Sequence, residues 1–284
     1  MSTARAFSVL THRQPSETGA AVQALIAATE LLGIELRFDV EEARKHQLVA
    51  GPGMVLDAGP SDPVELCLVL GGDGTILRAL RRYARTEVPV LAVNFGEVGF
   101  LATLDREALD EGLRRACAGD FALMSLPALE LEGRGASELA INDVSFHRRV
   151  GERVAELSYS LDGEEVGSVR CDGLVVATPA GSTGYNLANG GPVLAWGVAG
   201  YVVSFIAPHT LTARALVVAP SDPITVRNRS YDPVDVSIDG RPVGEMAPGE
   251  SCSARFVDGA GLLAHVPGSS FYRRLREKFG RLAH

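Results

Sequence analysis

Two rhythms of apolar and polar residues divide this chain. Up to about residue 122, short apolar runs alternate with longer segments whose apolar positions recur every three or four residues. Residues 7–10 read as a strand, 20–32 as an amphipathic helix and 34–40 as a second strand, while the Gly-, Pro- and Asp-rich residues 51–63 read as loop. Next come a strand ending before Gly71, a helix from Thr75 through Arg85, a strand over 89–93 and a helix over 106–118. Such alternation predicts a doubly wound parallel sheet with helices on both faces. Beyond residue 123 the runs shorten to strand length, at 153–161, 164–170, 201–206, 224–227, 234–238, 254–257 and 262–266. Asp162-Gly163, Asp239-Gly240 and Asp258-Gly259 punctuate them as hairpin signals. A last helical pattern covers 271–282. The expected fold is α/β plus all-β: an α/β domain over 1–122, a β-rich domain over 123–267, and residues 268–284 returning to the first.

Composition narrows the class. A chain of 284 residues has room for one large domain or two modest ones. Hydrophobic residues at 46% and charged residues at 22% are ordinary for a globular protein. A net charge of −8 argues against nucleic acid or anionic membrane as partner, and it means that an anionic substrate must be held by local groups. The pairs Arg81-Arg82 and Arg273-Arg274 accordingly read as solvated helix faces. Cys67, Cys117, Cys171 and Cys252 are far apart and form no Cys-x-x-Cys, so they read as buried, reduced thiols. With no secretory pattern and no membrane-length apolar run, a cytoplasmic location is expected.

The candidate chemistry begins where the apolar run Cys67-Leu68-Val69-Leu70 breaks into Gly71-Gly72-Asp73-Gly74-Thr75. Glycines permit positive φ and close ligand approach, and a helix starting there offers unpaired amides to a phosphate. Asp73 is the unusual member, since a carboxylate beside phosphates is repulsive unless it holds a metal, accepts a hydrogen bond or takes a proton. Phosphoryl transfer to a hydroxyl uses each of those roles. No Gly-x-x-x-x-Gly-Lys-Ser/Thr is present, and Leu77 occupies the third glycine position of the dinucleotide fingerprint. A glycine-rich turn with an N-capping Asp is the structural alternative. A second apolar run, Gly173-Leu174-Val175-Val176-Ala177, enters Thr178-Pro179-Ala180-Gly181-Ser182-Thr183-Gly184-Tyr185-Asn186. There small residues supply amides and hydroxyls, and Tyr185 a face for stacking a base.

Together these two segments resemble the NAD kinase family. Further matches follow in family order over residues 66–240: Asn94-Phe95-Gly96-Glu97-Val98-Gly99-Phe100-Leu101, Asn142-Asp143, Ala207-Pro208-His209-Thr210-Leu211 and Ser237-Ile238-Asp239-Gly240. The resemblance implies phosphorylation of the adenosine 2′-hydroxyl of NAD, with ATP as donor and Mg²⁺ or another divalent metal, to form NADP. It also implies a homodimer or homotetramer, a nucleotide-binding first domain, an NAD-binding second domain and an active site between them. By the same resemblance Asp73 is catalytic, as base, as orienting group or as metal holder. Gly71, Gly72, Gly74 and Thr75 would serve the phosphates, and Asn94 and Phe95 the nucleotide. Asn142 would read the adenine edge and Asp143 the ribose hydroxyls. Asp172 would contact the second half of NAD, with Thr183 and Tyr185 at the adenine and Gly184, His209 and Asp239 near the nucleotide. No residue is assigned as a metal ligand. Two positions depart from the family: Ala180, where Thr or Ser is common, and Gly184, where Ala is. Two alternatives remain open, a lipid kinase sharing Gly-Gly-Asp-Gly-Thr and a non-catalytic NAD(P)-binding sensor. The elements around Asn142 and Thr183 disfavour the first, and the retained Asp73 disfavours the second.

Overall fold

Strands buried on both faces need unbroken apolar runs, and Leu66–Leu70 and Val90–Asn94 have them. The computed structural model describes residues 5–96, 99–132, 138–266 and 271–280. The chain forms two compact units, residues 1–125 with 261–284, and residues 126–260.

In the first unit, β1 (Ala6–Thr11), α1 (Pro15–Leu32), β2 (Glu35–Arg37), α2 (Val40–Lys45), β3 (Met54–Val55), β4 (Leu66–Leu70), α3 (Asp73–Arg82), β5 (Val90–Asn94), β6 (Leu104–Asp105) and α4 (Leu109–Ala118) follow in order. The sheet runs β3-β2-β1-β4-β5 with every pair parallel, and Leu263 and Ala264 pair with β5 in the same sense. Phe7, Val9, Val22, Leu25, Leu36, Leu68 and Leu91 fill its core. Strand order reverses between β1 and β4, the place where open parallel sheets bind ligands at their carboxyl ends.

Three details differ from the sequence reading. Helix α1 starts at Pro15 rather than residue 20, because proline presets the first-turn φ, and it ends at Gly33 with φ +65°. Residues 34–40 are not one strand: β2 stops at Arg37, and Asp39 caps a new helix by accepting the Glu42 amide at 2.9 Å. The stretch 51–63, read as loop, contributes β3.

The second unit holds β7 (Ala122–Glu132) from Leu126 onward, β8 (Glu138–Ala140), β9 (Asp143–Arg148), β10 (Ala155–Leu161), β11 (Glu164–Cys171), β12 (Gly173–Ala177), α5 (Tyr185–Ala188), β13 (Tyr201–Ile206), β14 (Leu216–Val218), β15 (Ile224–Asn228), β16 (Val234–Ile238), β17 (Arg241–Met246) and β18 (Ser251–His265) up to Ala260. One antiparallel sheet runs β14-β13-β12-β9-β16-β17, and β11-β10-β15-β18 with β7 and β8 form the other strand group. Phe146, Leu174, Val176 and Val236 of the first pack in one core with Leu157, Val226 and Ala254 of the second.

The hairpin signals separate by backbone. Asp162-Gly163 and Asp239-Gly240 have positive φ at both residues, as a type I′ turn requires, and they join β10 to β11 and β16 to β17. Asp258-Gly259 does not turn the chain. Only Gly259 has positive φ there, at +65°, and β18 runs straight through.

The final helix, α6 (Phe271–Phe279), belongs to the first unit. Phe271 and Phe279 pack on Phe100 with ring centroids 6.3 Å apart in each case, and the Lys278 ammonium lies 4.7 Å from the same ring. The expected extension to 282 and the segment 268–270 lie outside the described residues.

Candidate functional site

The first candidate site grows from the strand-order reversal. At the ends of β1 and β4, the His12 amide donates to Leu70 O at 2.8 Å, holding the two exits side by side. Beyond β4, the Gly71 amide donates to Val93 O at 3.0 Å and the Thr75 amide to Gly72 O at 2.9 Å, which starts α3. Gly71 has no room for a side chain, since a Cβ would lie 2.7 Å from Thr75 Oγ1. Helix geometry leaves the Asp73 and Gly74 amides without partners in the helix, at the positive end of its dipole. Asp73 stands at that end. Its Oδ2 accepts the Phe100 amide at 2.9 Å and its Oδ1 the Leu101 amide at 3.1 Å. Gly99 makes this possible, because a Cβ there would lie 2.0 Å from Asp73 Oδ1.

Gly72, Asp73, Gly74 and Thr75 line a cavity of about 690 Å³. Its walls carry Arg13, Arg78, Arg81 and Lys278 against Asp73 and Glu41, with His12 at the edge. The local balance is cationic in a protein of net charge −8, as anion binding demands. These cations escaped the sequence reading. Arg81 lines the cavity, and Arg82 is ion-paired to Asp39 at 2.6 Å, so that pair is no simply solvated face. Nor is Arg274, which reaches Gly99 O and whose guanidinium is pushed below its usual pKa by burial, against the pull of Asp105 and Asp73. The spacing of Thr75, Arg78 and Arg81, three apart along α3, was the available signal.

Asn94 and Phe95 lie apart from that group. They line a neighbouring cavity of about 660 Å³ that shares His12 and Gly96 with the first. Asn94 Oδ1 accepts the Gly96 amide at 3.1 Å, and the Arg106 guanidinium sits 5.1 Å from the Phe95 ring centre. Glu97 and Val98 of that segment lie outside the described residues.

The second unit gathers the other candidates around one backbone lock. Asp239, at φ +47°, accepts the amides of Ile141, Asn142 and Asp143 at 3.2, 2.7 and 3.2 Å. Asn142 O accepts the Thr178 amide at 2.9 Å, and Thr178 Oγ1 donates to Ile141 O at 2.6 Å. Gly181 then approaches so closely that a Cβ would lie 2.0 Å from Asn142 O. Asn142 Oδ1 is left buried without a hydrogen-bond partner. Asp143 is buried beside it, and burial, helped by the Asp239 charge, raises its carboxyl to a pKa of about 7.

Tyr185 stacks on His147 with ring centres 5.4 Å apart and planes 17° from parallel, so one of its faces is already covered. Burial raises its phenol pKa, and the charges of Asp143 and Asp172 add to the effect. Asp172 accepts Arg148 Nε at 2.5 Å. Thr183 Oγ1 donates to Ala180 O at 3.1 Å, and Ala180 is buried. At Gly184 a Cβ would meet Gly181 O at 3.3 Å. His209 is exposed, and its backbone amide donates to Arg170 O at 2.7 Å. Cys171 is buried, which pushes its thiol up to about 12 and makes it unreactive.

A cationic cavity with one anchored carboxylate at a sheet's strand-order reversal, on a chain that also carries a two-sheet β unit with a tight small-residue turn, is an arrangement suited to nucleotide phosphoryl transfer. Comparison with known proteins gives the family. Residues 55–121 match the ATP-NAD kinase N-terminal domain, and residues 141–257 the ATP-NAD kinase C-terminal domain. An NAD kinase of Gemmatimonas aurantiaca is 32% identical over 279 residues, covering 96% of this chain and 94% of that protein. One from Acidithiobacillus ferrooxidans is 37% identical over 227 residues, covering 75% of each. Among solved structures, yeast NADH kinase complexed with NADH shares the fold at TM-score 0.87 and 22% identity, over 98% of this chain and 88% of that one. An NAD kinase from Archaeoglobus fulgidus in complex with ATP does so at TM-score 0.73 and 23% identity, over 98% of both chains. The chain belongs to the NAD kinase family.

Proposed function

We propose that this protein transfers the γ-phosphoryl group of ATP to the adenosine 2′-hydroxyl of NAD, releasing ADP and NADP. The observation that carries the reading is Asp73, fixed by two backbone amides on the wall of a cationic cavity at a helix N-terminus. In that reading the bond from phosphorus to the β–γ bridging oxygen breaks as one to the acceptor oxygen forms, and the hydroxyl loses its proton. Asp73 aims that hydroxyl or receives the proton; hydrogen bonds donated by backbone amides to both of its oxygens limit its rotation, which favours the orienting role. Gly72, Gly74 and the first-turn amides of α3 take phosphate oxygens, with Arg13, Arg78, Arg81 and Lys278 balancing their charge. In the second unit, Asn142 is assigned to the adenine edge. Asp143 and Tyr185 suit the ribose hydroxyls and the base, and Asp172 the remainder of NAD. Asn94, Phe95, Thr183, Gly184, His209 and Asp239 are assigned more loosely to the nucleotide surroundings, with Asp239 acting through the backbone it holds. The functional division follows residues 1–122 with 268–284 for the donor and 123–267 for NAD.

A divalent metal fits this arrangement in one way. No group of three or more His, Cys, Asp or Glu suited to a metal exists among the described residues, so these residues form no metal cage. Magnesium is commonly bound by one or two carboxylates plus substrate phosphates, and Asp73 and Glu41 are the carboxylates on this cavity. When bound, the metal would neutralise charge on the transferring phosphoryl group. Among the described residues no helix is long and apolar enough to cross a membrane. A cytosolic homodimer or homotetramer is carried over from the family resemblance, and light scattering checks the assembly. The reaction is tested by NADP formation from NAD, ATP and Mg²⁺, read with an NADP-specific dehydrogenase. Product that requires both ATP and metal is expected; NAD binding without product would leave a sensor.

A further inference from the structure

The catalytic cavity is backed by a buried ionic cluster that the phosphoryl chemistry does not use directly. Its centre is Glu42 of α2, a carboxylate only 1% exposed. Oε1 accepts Arg78 Nη2 at 2.6 Å. Oε2 accepts Thr11 Oγ1 at 2.7 Å and pairs with Lys45 Nζ at the same distance. Lys45 Nζ and Arg78 Nη2 also donate to Thr11 O, at 3.1 and 3.2 Å, while Thr11 Oγ1 meets His46 Nε2 at 2.7 Å. One turn further along α3, Arg82 Nη1 reaches the other oxygen of the Asp39 carboxylate that caps α2. Helix α2 therefore grips α3 at two residues four apart, which share a face.

A buried ion pair is a poor way to gain stability, because desolvation consumes most of its attraction. Holding a planar guanidinium in one orientation is what it does well. Arg78 has Nη2 committed to Glu42 and Thr11 O, while the side chain remains 34% exposed on the cavity wall. The carboxylate beside Nη1, Glu41, is 4.0 Å away and itself 79% exposed, too far and too hydrated to hold that nitrogen. Thus one end of the fork is locked and the other is available to an anion.

We propose that Glu42 is a positioning residue for phosphate binding: it fixes Arg78 on the cavity wall, with Thr11 and Lys45 as its braces. The proposal rests on the reading of this cavity as the site of the donor's phosphates. It gives α2, which contributes no motif residue, a defined part in donor affinity.

A double-mutant cycle on the full chain tests it, with inorganic triphosphate plus Mg²⁺ as probe and calorimetry as readout. Arg78→Ala should weaken triphosphate about tenfold and Glu42→Gln by a similar factor, whereas Glu42→Gln in the Arg78→Ala background should add less than about twofold. NAD affinity should stay within about twofold throughout. Thr11→Val, a near-isosteric change without charge, should weaken triphosphate about threefold and covers the case in which Glu42→Gln fails to fold. Equal losses from Glu42→Gln in both backgrounds would overturn the positioning role. So would a lowered melting temperature with unchanged triphosphate affinity in Thr11→Val. Unchanged affinity in Arg78→Ala would instead remove the cavity's assignment, and the positioning role with it.

Discussion

The two candidate sites are built on opposite principles. In the first unit the cavity around Asp73 is lined by long cationic side chains whose charge exceeds that of its carboxylates, and much of its order comes from ion pairs behind the wall. In the second, the cluster around Asn142 is organised by backbone hydrogen bonds and close packing. Asp239 is occupied by three amides, the Asp143 carboxyl titrates only near neutrality, and glycine permits contacts that no other residue allows. A polyphosphate is recognised by charge and dipoles, which tolerate small displacements. A nucleoside is recognised by shape and by a few unpaired polar atoms, which do not. The same chain therefore uses long charged side chains in one unit and close small-residue packing in the other.

Substitutions can break this contrast. The largest effect is expected from Gly99→Ala, whose methyl would fall on Asp73 Oδ1 and dislodge the carboxylate from its amides. Turnover should drop about 100-fold with little change in melting temperature, measured by steady-state kinetics and calorimetry. Gly181→Ala drives a methyl into Asn142 O, where the obstacle is backbone and cannot swing away. It should cost about 2–3 kcal/mol of stability by denaturant unfolding and weaken NAD while sparing triphosphate. If triphosphate weakened equally, the two sites would not be separable as drawn.

The Asp143 carboxyl gives a pH signature. Its folded pKa of about 7 lies above the ordinary value of 3.8, so the folded state keeps a proton that the unfolded chain releases first. Below both values the group contributes no pH dependence. Between about pH 4 and 7 it makes stability fall as pH rises, and above about 7 the penalty is complete. Asp143→Asn should therefore gain on the parent across that window, reaching about 4 kcal/mol at pH 8, as read from paired urea titrations. A difference independent of pH would show that the carboxyl is ionised throughout. The smallest effect belongs to Tyr185→Ala. With one ring face already on His147, only the other is left for a base, and NAD should weaken by about 1 kcal/mol. No change in the dissociation constant would remove the contact.

How much of this was legible in the sequence differs between the sites for a physical reason. Gly71-Gly72-Asp73-Gly74 and Thr178 to Tyr185 announce themselves because backbone geometry demands small residues in a row. The cationic wall does not, since Arg13, Arg78, Arg81 and Lys278 come from three separated stretches and any exposed helix carries such residues. Helix α2 was hidden by the apolar residues of 34–40, although Asp39 and Glu42 carried an N-cap pattern. Asp258-Gly259 reads like the two true hairpins, and only the backbone of Asp258 distinguishes it. The resemblance put Asp239 near the nucleotide, and in the structure its carboxylate clamps three backbone amides.

The most direct test of the central claim is Asp73→Asn, which keeps size and one acceptor oxygen but removes the charge. NAD dissociation constant and kcat for NADP formation should be measured on the same preparation. The account predicts kcat lower by about a thousandfold with NAD affinity within about twofold of the parent. Full turnover in the variant would contradict it, taking Asp73 out of the chemistry and with it the observation on which the proposed function stands.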